Sequence, residues 1–222
     1  PICFGCENME AAICSAGALI HYLRETQKSA MEHITALTPF PIHDYMAVDQ
    51  CTLASLELVQ SSEGSRKNSL LDLLDLSHTP MGARRIREWI LKPLIDAEKI
   101  NERLSIVADF KDNPTERKDL RDLLKHIFDL ERLLGRITLS ACNARDLIAM
   151  KTSLEAFPDL LEALKNYDSS PLQKYLETWD NLDSVHDLID QNIMDDPPLS
   201  LKEGNLIKPG CNEELDRLKN IT

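Results

Sequence analysis

Glycine and aromatic residues are scarce in this chain, and long apolar runs are missing. The 222 residues include seven glycines, and Phe, Trp and Tyr together make up 5% of the sequence. All-β sandwiches and glycine-rich folds are therefore poor candidates. The longest mostly apolar run, residues 11–20, is too short for a membrane-spanning helix, which needs ~20 residues. No basic segment followed by an apolar one opens the chain, so we expect a cytoplasmic protein without a membrane partner.

The common catalytic and nucleotide-binding signatures are also missing. No Gly-Lys dipeptide occurs, which excludes a Walker A loop, and the patterns G-x-G-x-x-G, G-x-S-x-G and H-E-x-x-H do not occur. Such patterns position phosphates, nucleophiles or zinc ligands, so the corresponding sites are not expected here. We predict no catalytic residue, no cofactor site and no metal site within these residues.

Acidic residues outnumber basic ones. Lys and Arg contribute 25 positive charges against 37 negative charges from Asp and Glu, so the formal net charge is −12. A surface of this sign repels phosphate, which makes the isolated chain a poor candidate for strong nucleic-acid binding. Residues 177–196 hold seven acids and no Lys or Arg. They lack the calcium-loop pattern, which favours a solvated helix surface over a cation site.

One basic cluster interrupts this acidic pattern. Arg84, Arg85 and Arg87 lie close together in the sequence, and Arg84 and Arg87 fall on the same face of a predicted helix. The three arginines are a candidate contact for a phosphate group or a partner protein. The alternative is a solvated face whose arginines pair with neighbouring acids, and the acidic composition favours it.

The six cysteines are scattered, which suits a reducing compartment better than a disulfide framework. Cys3 and Cys6 form a C-x-x-C pattern, and with Cys14 and His21 they could make a Cys₃His zinc site. A redox pair is a second reading, but the βαβ context for it is missing. Zinc sites usually show another close pair of ligands, so we favour two thiols that pack in a turn.

Helix-start signals recur from residue 79 onward. Thr79, Asp96, Asn113 and Asn143 each precede apolar residues at helical spacing. Proline follows Thr79 and Asn113 at the first helical position, and Glu at the third position after Asn113 comes close to a capping box. The predicted fold class is all-α, a multi-helix bundle of long helices with a few short strands.

One long predicted helix covers residues 114–134, where apolar residues recur on one stripe. It would extend roughly 30 Å at 1.5 Å per residue, with Gly135 as its C-cap. Two prolines in residues 38–41 favour extended backbone and place a domain boundary there. The other predicted elements are a helix over 8–28, a strand over 45–49, a hairpin over 199–209 around Gly204 and a helix from Asn212.

Four blocks of sequence follow one another in a distinctive order. They are AGALIHYLRETQ at 16–27, LLDLLD with TPMGAR within 70–84, DLERLLGRI with NARDL within 129–147, and PLSLKEG with GCNEELD within 198–216. In this order they resemble the MutS family of DNA mismatch-recognition ATPases, and the first block resembles the bacterial branch. The resemblance covers nearly the whole chain.

The resemblance implies that this chain is a segment of a longer protein. Residues 1–38 would be the C-terminal part of the connector domain, residues 39–210 the first part of the core or lever domain, and residues 211–222 the start of the helix that leads to the clamp. The mismatch-reading domain, the clamp and the ATPase would lie outside the segment. The segment itself would link mismatched-DNA binding to conformational changes of the ATPase.

The resemblance also implies the cofactors and partners of the parent protein. The parent would be a DNA-dependent ATPase that binds ATP and Mg²⁺, forms a homodimer, and acts with mismatched double-stranded DNA and a MutL-type partner. It would be cytoplasmic, and associated with the nucleoid when on DNA. Two other functions remain open, a free-standing helical scaffold or adaptor and a metal or redox enzyme that uses Cys3 and Cys6.

Overall fold

The computed structural model describes residues 9–27, 44–199 and 201–219. The chain divides between Tyr45 and Met46 into two compact units. The first unit contains helix α1, Glu10–Gln27, which confirms the helix predicted over 8–28. The predicted domain bounds at 38/39 and 210/211 stay predictions.

The second unit is built from short helices, and this confirms the all-α class. Its helices are α2 Gln50–Ser55, α3 Leu70–Leu74, α4 Pro80–Leu91, α5 Ala97–Asp112, α6 Pro114–Leu124, α7 Leu130–Thr138, α8 Ala144–Glu155, α9 Phe157–Lys165, α10 Ser170–Leu176, α11 Asp183–Asn192 and α12 Glu213–Lys219. A 3₁₀ turn covers Leu201–Glu203. The helix predicted from Asn212 is confirmed as α12, and the Asn212 side chain accepts a hydrogen bond from the N–H of Leu215.

The predicted short strands are wrong for the residues that the structure describes. Within 45–49, Tyr45 is a single bridge residue and residues 46–49 are irregular. Asp49 ends this stretch as the N-cap of α2 by accepting the N–H of Thr52 at 2.7 Å. In place of a hairpin over 199–209, Ile207 forms an isolated antiparallel bridge with Ile193, which lies before that segment. The alternating residues of this segment therefore reflect the pairing of Ile207 with Ile193, outside the segment, and not a local hairpin.

Most predicted helix starts are confirmed by their hydrogen bonds. Thr79 accepts the N–H of Gly82 at 3.1 Å, and Asp96 accepts the N–H of Glu98 at 2.9 Å. Asn143 forms a reciprocal capping box with the third residue of α8. The box predicted at Asn113 is wrong, because the Asn113 amide donates back to the carbonyl of Asp109 in α5 and does not cap α6.

The single helix predicted over 114–134 is also wrong, because it is two helices, α6 and α7. Asp129 begins α7 by accepting the N–H of Arg132 at 3.1 Å. The N–H of Phe128 donates to the hydroxyl of Ser153 on α8 at 2.9 Å. Ser153 is completely buried and donates in turn to the Ala149 carbonyl. The break is stable because these two acceptors satisfy backbone donors that a continuous helix would have bonded internally.

Two clusters of buried side chains form the core of the second unit. The larger one joins α7, α8 and α11 with the bridge residue Ile193: Leu133, Ala144, Met150, Leu154, Ile189 and Ile193. The smaller one joins α6, α9 and α10, with α5 packed at its side: Leu120, Leu160, Tyr167 and Leu172. The larger cluster contains side chains of α8 and the smaller one a side chain of α9, and these two helices follow each other directly in the chain.

Tyr167 gives a test of the smaller cluster. Its side chain is 1% exposed and packs edge-on against Phe110 with ring centroids 4.6 Å apart. Its hydroxyl is buried without a hydrogen-bond partner among the described residues, and burial raises the pKa of Tyr167. Removing a buried, unpaired hydroxyl removes a desolvation cost, so Tyr167→Phe is expected to stabilise the fold by up to about 1 kcal/mol.

Urea unfolding of the wild type and the Tyr167→Phe variant measures this difference. Tyr175→Phe is the matched control, since Tyr175 is 70% exposed and the same change there is expected to leave stability unaltered. A loss of stability in Tyr167→Phe would show that the hydroxyl is satisfied in solution and would contradict the prediction.

Candidate functional site

The three predicted site arginines lie on α4, whose first turn is set by local sequence. Thr79 caps the helix, Pro80 occupies its first position, and Gly82 comes close to the cap. A Cβ at Gly82 would lie 3.1 Å from the Thr79 hydroxyl oxygen, so glycine leaves room for the capping side chain. Arg84 follows this first turn directly, so its position relative to the start of α4 is fixed.

Arg84 connects α4 to the start of α7. Its Nη1 and Nη2 donate to the two carboxylate oxygens of Asp129 at 2.9 and 2.6 Å. Its Nε and Nη2 also donate to Oε2 of Glu131 at 2.9 and 2.7 Å. We call these three residues the arginine bridge. It spans 45 to 47 residues of sequence and ties two helices with a planar, forked donor whose geometry lysine does not reproduce.

The electrostatics of the arginine bridge favour the ionised forms of Arg84 and Asp129. The Asp129 carboxylate is 19% exposed, and its hydrogen bond from Arg84 holds the pKa of Asp129 below the ordinary value, against a smaller opposing effect of burial. The same bond, with the one to Glu131, raises the pKa of Arg84. Asp129 also caps α7, so one carboxylate stabilises both the interhelical contact and the helix start.

Arg85 and Arg87 lie in different surroundings. Arg85 pairs with Glu88 on its own helix at 3.0 Å, with both side chains largely exposed. Arg87 lines a groove of about 550 Å³ together with Gln50, Leu53 and other residues. The structure therefore does not gather the three guanidinium groups at one point, and a phosphate or partner contact of Arg84, Arg85 or Arg87 stays a prediction.

Sequence reasoning identified Arg84 but missed its two acidic partners. Asp129 precedes the apolar residues of α7, which is an N-cap signal, but the expectation of one continuous helix over 114–134 concealed it. Glu131 carries no signal of its own. The pairing itself is a tertiary contact between segments 45 residues apart, which residue spacing does not report.

The proposed zinc ligands are only partly described. Cys14 is an exposed free thiol on α1, and the His21 imidazole lies 3.5 Å from the Glu25 carboxylate. Cys3 and Cys6 lie outside the described residues, so their role stays a prediction. Within residues 9–27, 44–199 and 201–219, no group of three His, Cys, Asp or Glu side chains is arranged to hold a metal ion. The described helices also include none with the length and apolar character needed to cross a membrane.

Comparison with known proteins identifies the family. Residues 51–221 match the family described as MutS domain III. The chain is 42% identical to the DNA mismatch repair protein MutS of Halothermothrix orenii, over 97% of this chain and 24% of that protein. The corresponding proteins of Symbiobacterium thermophilum and Methanosarcina barkeri are 41% and 42% identical, each over 98% of this chain and 25% of their own length. This chain spans about a quarter of these relatives, and its all-α fold agrees with the match. The resemblance seen in the four sequence blocks is thereby confirmed, and the chain belongs to the MutS domain III family.

Proposed function

We propose that this chain is the core segment of a MutS-type DNA mismatch-recognition ATPase and couples mismatch binding to ATP-driven conformational change. The observation that carries the proposal is the family match over residues 51–221, together with relatives named DNA mismatch repair protein MutS. The parent binds ATP and Mg²⁺ and hydrolyses ATP outside this segment. It acts as a homodimer on mismatched double-stranded DNA, with a MutL-type partner, in the cytoplasm and on the nucleoid.

The packing of the second unit supports a mechanical role for the segment. Side chains from α7, α8 and α11 share one buried cluster, so these helices shift together or not at all. The arginine bridge adds α4 to this body through its contact with the start of α7. A displacement at α4 therefore reaches α7 through charged groups whose geometry is fixed by several hydrogen bonds, which is the kind of contiguous contact that carries coupling energy.

The part of the chain that transmits motion in this proposal is not the single long helix that the sequence predicts. The 30 Å helix over 114–134 would transmit motion along one rigid rod. In the structure α6 ends at Leu124 and α7 begins at Leu130, so motion passes between short helices through side-chain contacts. The side chains at the contacts, and not helix continuity, become the residues to mutate.

The test is to replace Arg84 with glutamine in the parent protein and measure coupling. The readout is the ratio of dissociation constants for a mismatched duplex with and without ATP. We expect Arg84→Gln to reduce this ratio about tenfold while mismatch binding without ATP and basal ATP hydrolysis change little, because only the contact between helices is lost. Arg85→Gln is the matched control, since Arg85 pairs only within α4 among the contacts that the structure gives it.

Two outcomes contradict different parts of the proposal. An unchanged ratio in Arg84→Gln would show that the arginine bridge does not carry the coupling, although family membership would stand. A parent protein that neither prefers mismatched DNA nor responds to ATP would contradict the proposed function as a whole.

A further inference from the structure

The chain returns to the core after α11 and forms a separate contact there. Ile193, directly after α11, pairs with Ile207 in the antiparallel bridge. On either side of it, the N–H of Met194 donates to the Leu206 carbonyl at 2.9 Å and the N–H of Lys208 donates to the Asn192 carbonyl at 2.8 Å. We call residues 206–219 the return segment. It contains this bridge and α12.

Two lysines share two carboxylates beside the bridge. Lys208 Nζ lies 3.1 Å from Asp195 and 3.5 Å from Asp190. Lys151 Nζ on α8 lies 2.7 Å from Asp190, 3.5 Å from Asp195 and 3.8 Å from Glu155. We call Lys151, Lys208, Asp190 and Asp195 the lysine cluster. Asp190 and Asp195 belong to the acidic stretch 177–196, which the sequence predicted as a solvated surface, and both form ion pairs with these lysines.

The side chains of the lysine cluster differ in their exposure to solvent. The side chain of Lys151 is 14% exposed, whereas those of Asp190 and Asp195 are 44% and 74% exposed. If Lys208 moves away, Asp190 and Asp195 keep Lys151, and Lys151 keeps them and Glu155. Departure of the return segment thus leaves no buried charge unpaired, which avoids the large penalty of breaking a buried ion pair. Lys208 enters water, where it is readily hydrated.

The apolar contacts of the return segment are also limited. Leu206 and Ile207 are half-buried and lie at the edge of the larger cluster, whereas the fully buried members of that cluster come from α7, α8, α11 and Ile193. In α12, the Asp216 carboxylate accepts the N–H of Gly210 within the return segment itself, and most side chains of the helix are exposed. The Cys211 thiol donates to the Gln191 carbonyl of α11 at 3.0 Å, and because this bond is exposed, water replaces it when the segment opens. Removing the segment therefore leaves the core helices with most of their buried area.

We infer that the return segment is a separately opening unit that detaches from α8 and α11 without unfolding them, and that Lys208 sets its opening equilibrium. The inference concerns this chain alone and does not depend on the proposed function. Regions with few buried contacts and exposed ion pairs open locally at a lower free energy than the global unfolding of the domain. Because both carboxylates are partly exposed, salt screens their attraction for Lys208 and favours opening.

Hydrogen exchange of the whole 222-residue chain tests this inference. The reporters are the amides of Met194 and Lys208, which donate across the bridge, and the amides of Met150 and Leu154 in α8 serve as the core reference. We expect Lys208→Met to lower the protection factors of the bridge amides about fivefold and to leave the core reference unchanged. Raising NaCl to about 1 M, where the Debye length is about 3 Å, is expected to lower bridge protection in the wild type but not in Lys208→Met.

Controls separate this result from a general loss of charge. Lys165→Met removes an ion pair with Glu162 on α9 and is expected to leave the bridge amides as protected as in the wild type. Asp195→Asn removes one carboxylate from the lysine cluster by an exposed, isosteric change and is expected to act in the same direction as Lys208→Met. The inference is overturned if bridge and core amides exchange together in the wild type, or if Lys208→Met and Asp195→Asn both leave bridge protection unchanged.

Discussion

Replacing Leu154 with alanine is expected to lower the free energy of unfolding by about 3 kcal/mol. Leu154 lies on α8, is 4% exposed, and packs in the larger cluster with Leu133 of α7 and Ile189 of α11. The substitution removes apolar surface from the core and leaves a cavity that surrounding helices refill only in part. The loss is large because three helices meet around this one side chain.

Urea unfolding followed by far-UV circular dichroism measures the effect of Leu154→Ala. The matched control is Leu134→Ala on α7, where the leucine is 56% exposed and the same change is expected to cost less than about 1 kcal/mol. Equal losses at the two positions would contradict the assignment of Leu154 to the core. Unequal losses with the same dependence on urea concentration would confirm it, because the surface exposed on unfolding is then the same.

Two substitutions at Asp129 are expected to separate the contribution of its ion pair with Arg84 from that of its cap on α7. Asp129→Asn keeps an oxygen that can cap α7 but removes the charge that pairs with Arg84, and it is expected to cost about 1 kcal/mol. Asp129→Ala removes the cap as well and is expected to cost about 2 kcal/mol in total. Chemical unfolding of both variants at neutral pH measures the two steps. Identical stabilities for the two would show that the cap contributes nothing.

The pH dependence of the Asp129 contribution has a definite sign. Its pKa is lowered in the folded state, first by the hydrogen bond from Arg84, relative to an ordinary value of 3.8. The folded state therefore favours the ionised form, and this stabilisation is complete above the unfolded pKa and is lost as pH falls through the folded pKa. The stability difference between wild type and Asp129→Asn is expected to be constant from pH 7 to about 5 and to shrink below about 4.

Asp122→Asn provides a comparison for this titration. Asp122 pairs with Lys125 in a local, exposed contact, and its substitution is expected to change stability little at any pH. A wild-type advantage over Asp129→Asn that persists undiminished well below pH 3 would contradict the assigned role of the carboxylate.

Helix starts were predictable from sequence because their chemistry is local. Thr79, Asp96 and Asn143 accept N–H groups two or three residues further along the chain, and the order of side chains alone encodes those bonds. The family was predictable for a related reason, since the four blocks keep their order along the chain. Asn113 shows the limit, because its side chain bonds the end of α5 and leaves the predicted capping box unformed.

The end of α7 shows a second limit of local reading. Gly135 was predicted as a C-cap because it follows the apolar stripe of 114–134. Because Asp129 caps the start of a new helix, Gly135 lies inside α7. The residue with left-handed backbone after this helix is Ser140, with φ of 53°. The N–H of Ala141 then donates to the Arg136 carbonyl, which is a common closure of a helix C-terminus.

The sequence by itself determined the helical class, most helix starts and membership of the MutS domain III family, because caps, periodicity and block order are properties of neighbouring residues. Tertiary structure alone decided that α6 and α7 are separate, that Arg84 bonds Asp129, and that Lys208 joins Lys151 around shared carboxylates. These contacts join residues that are distant in sequence: 13 positions for Lys208 and Asp195, 25 for Phe128 and Ser153, and 45 for Arg84 and Asp129. The charges and hydroxyls involved could have faced water equally well, and only the packing of α4, α7, α8 and α11 brings their partners within bonding distance.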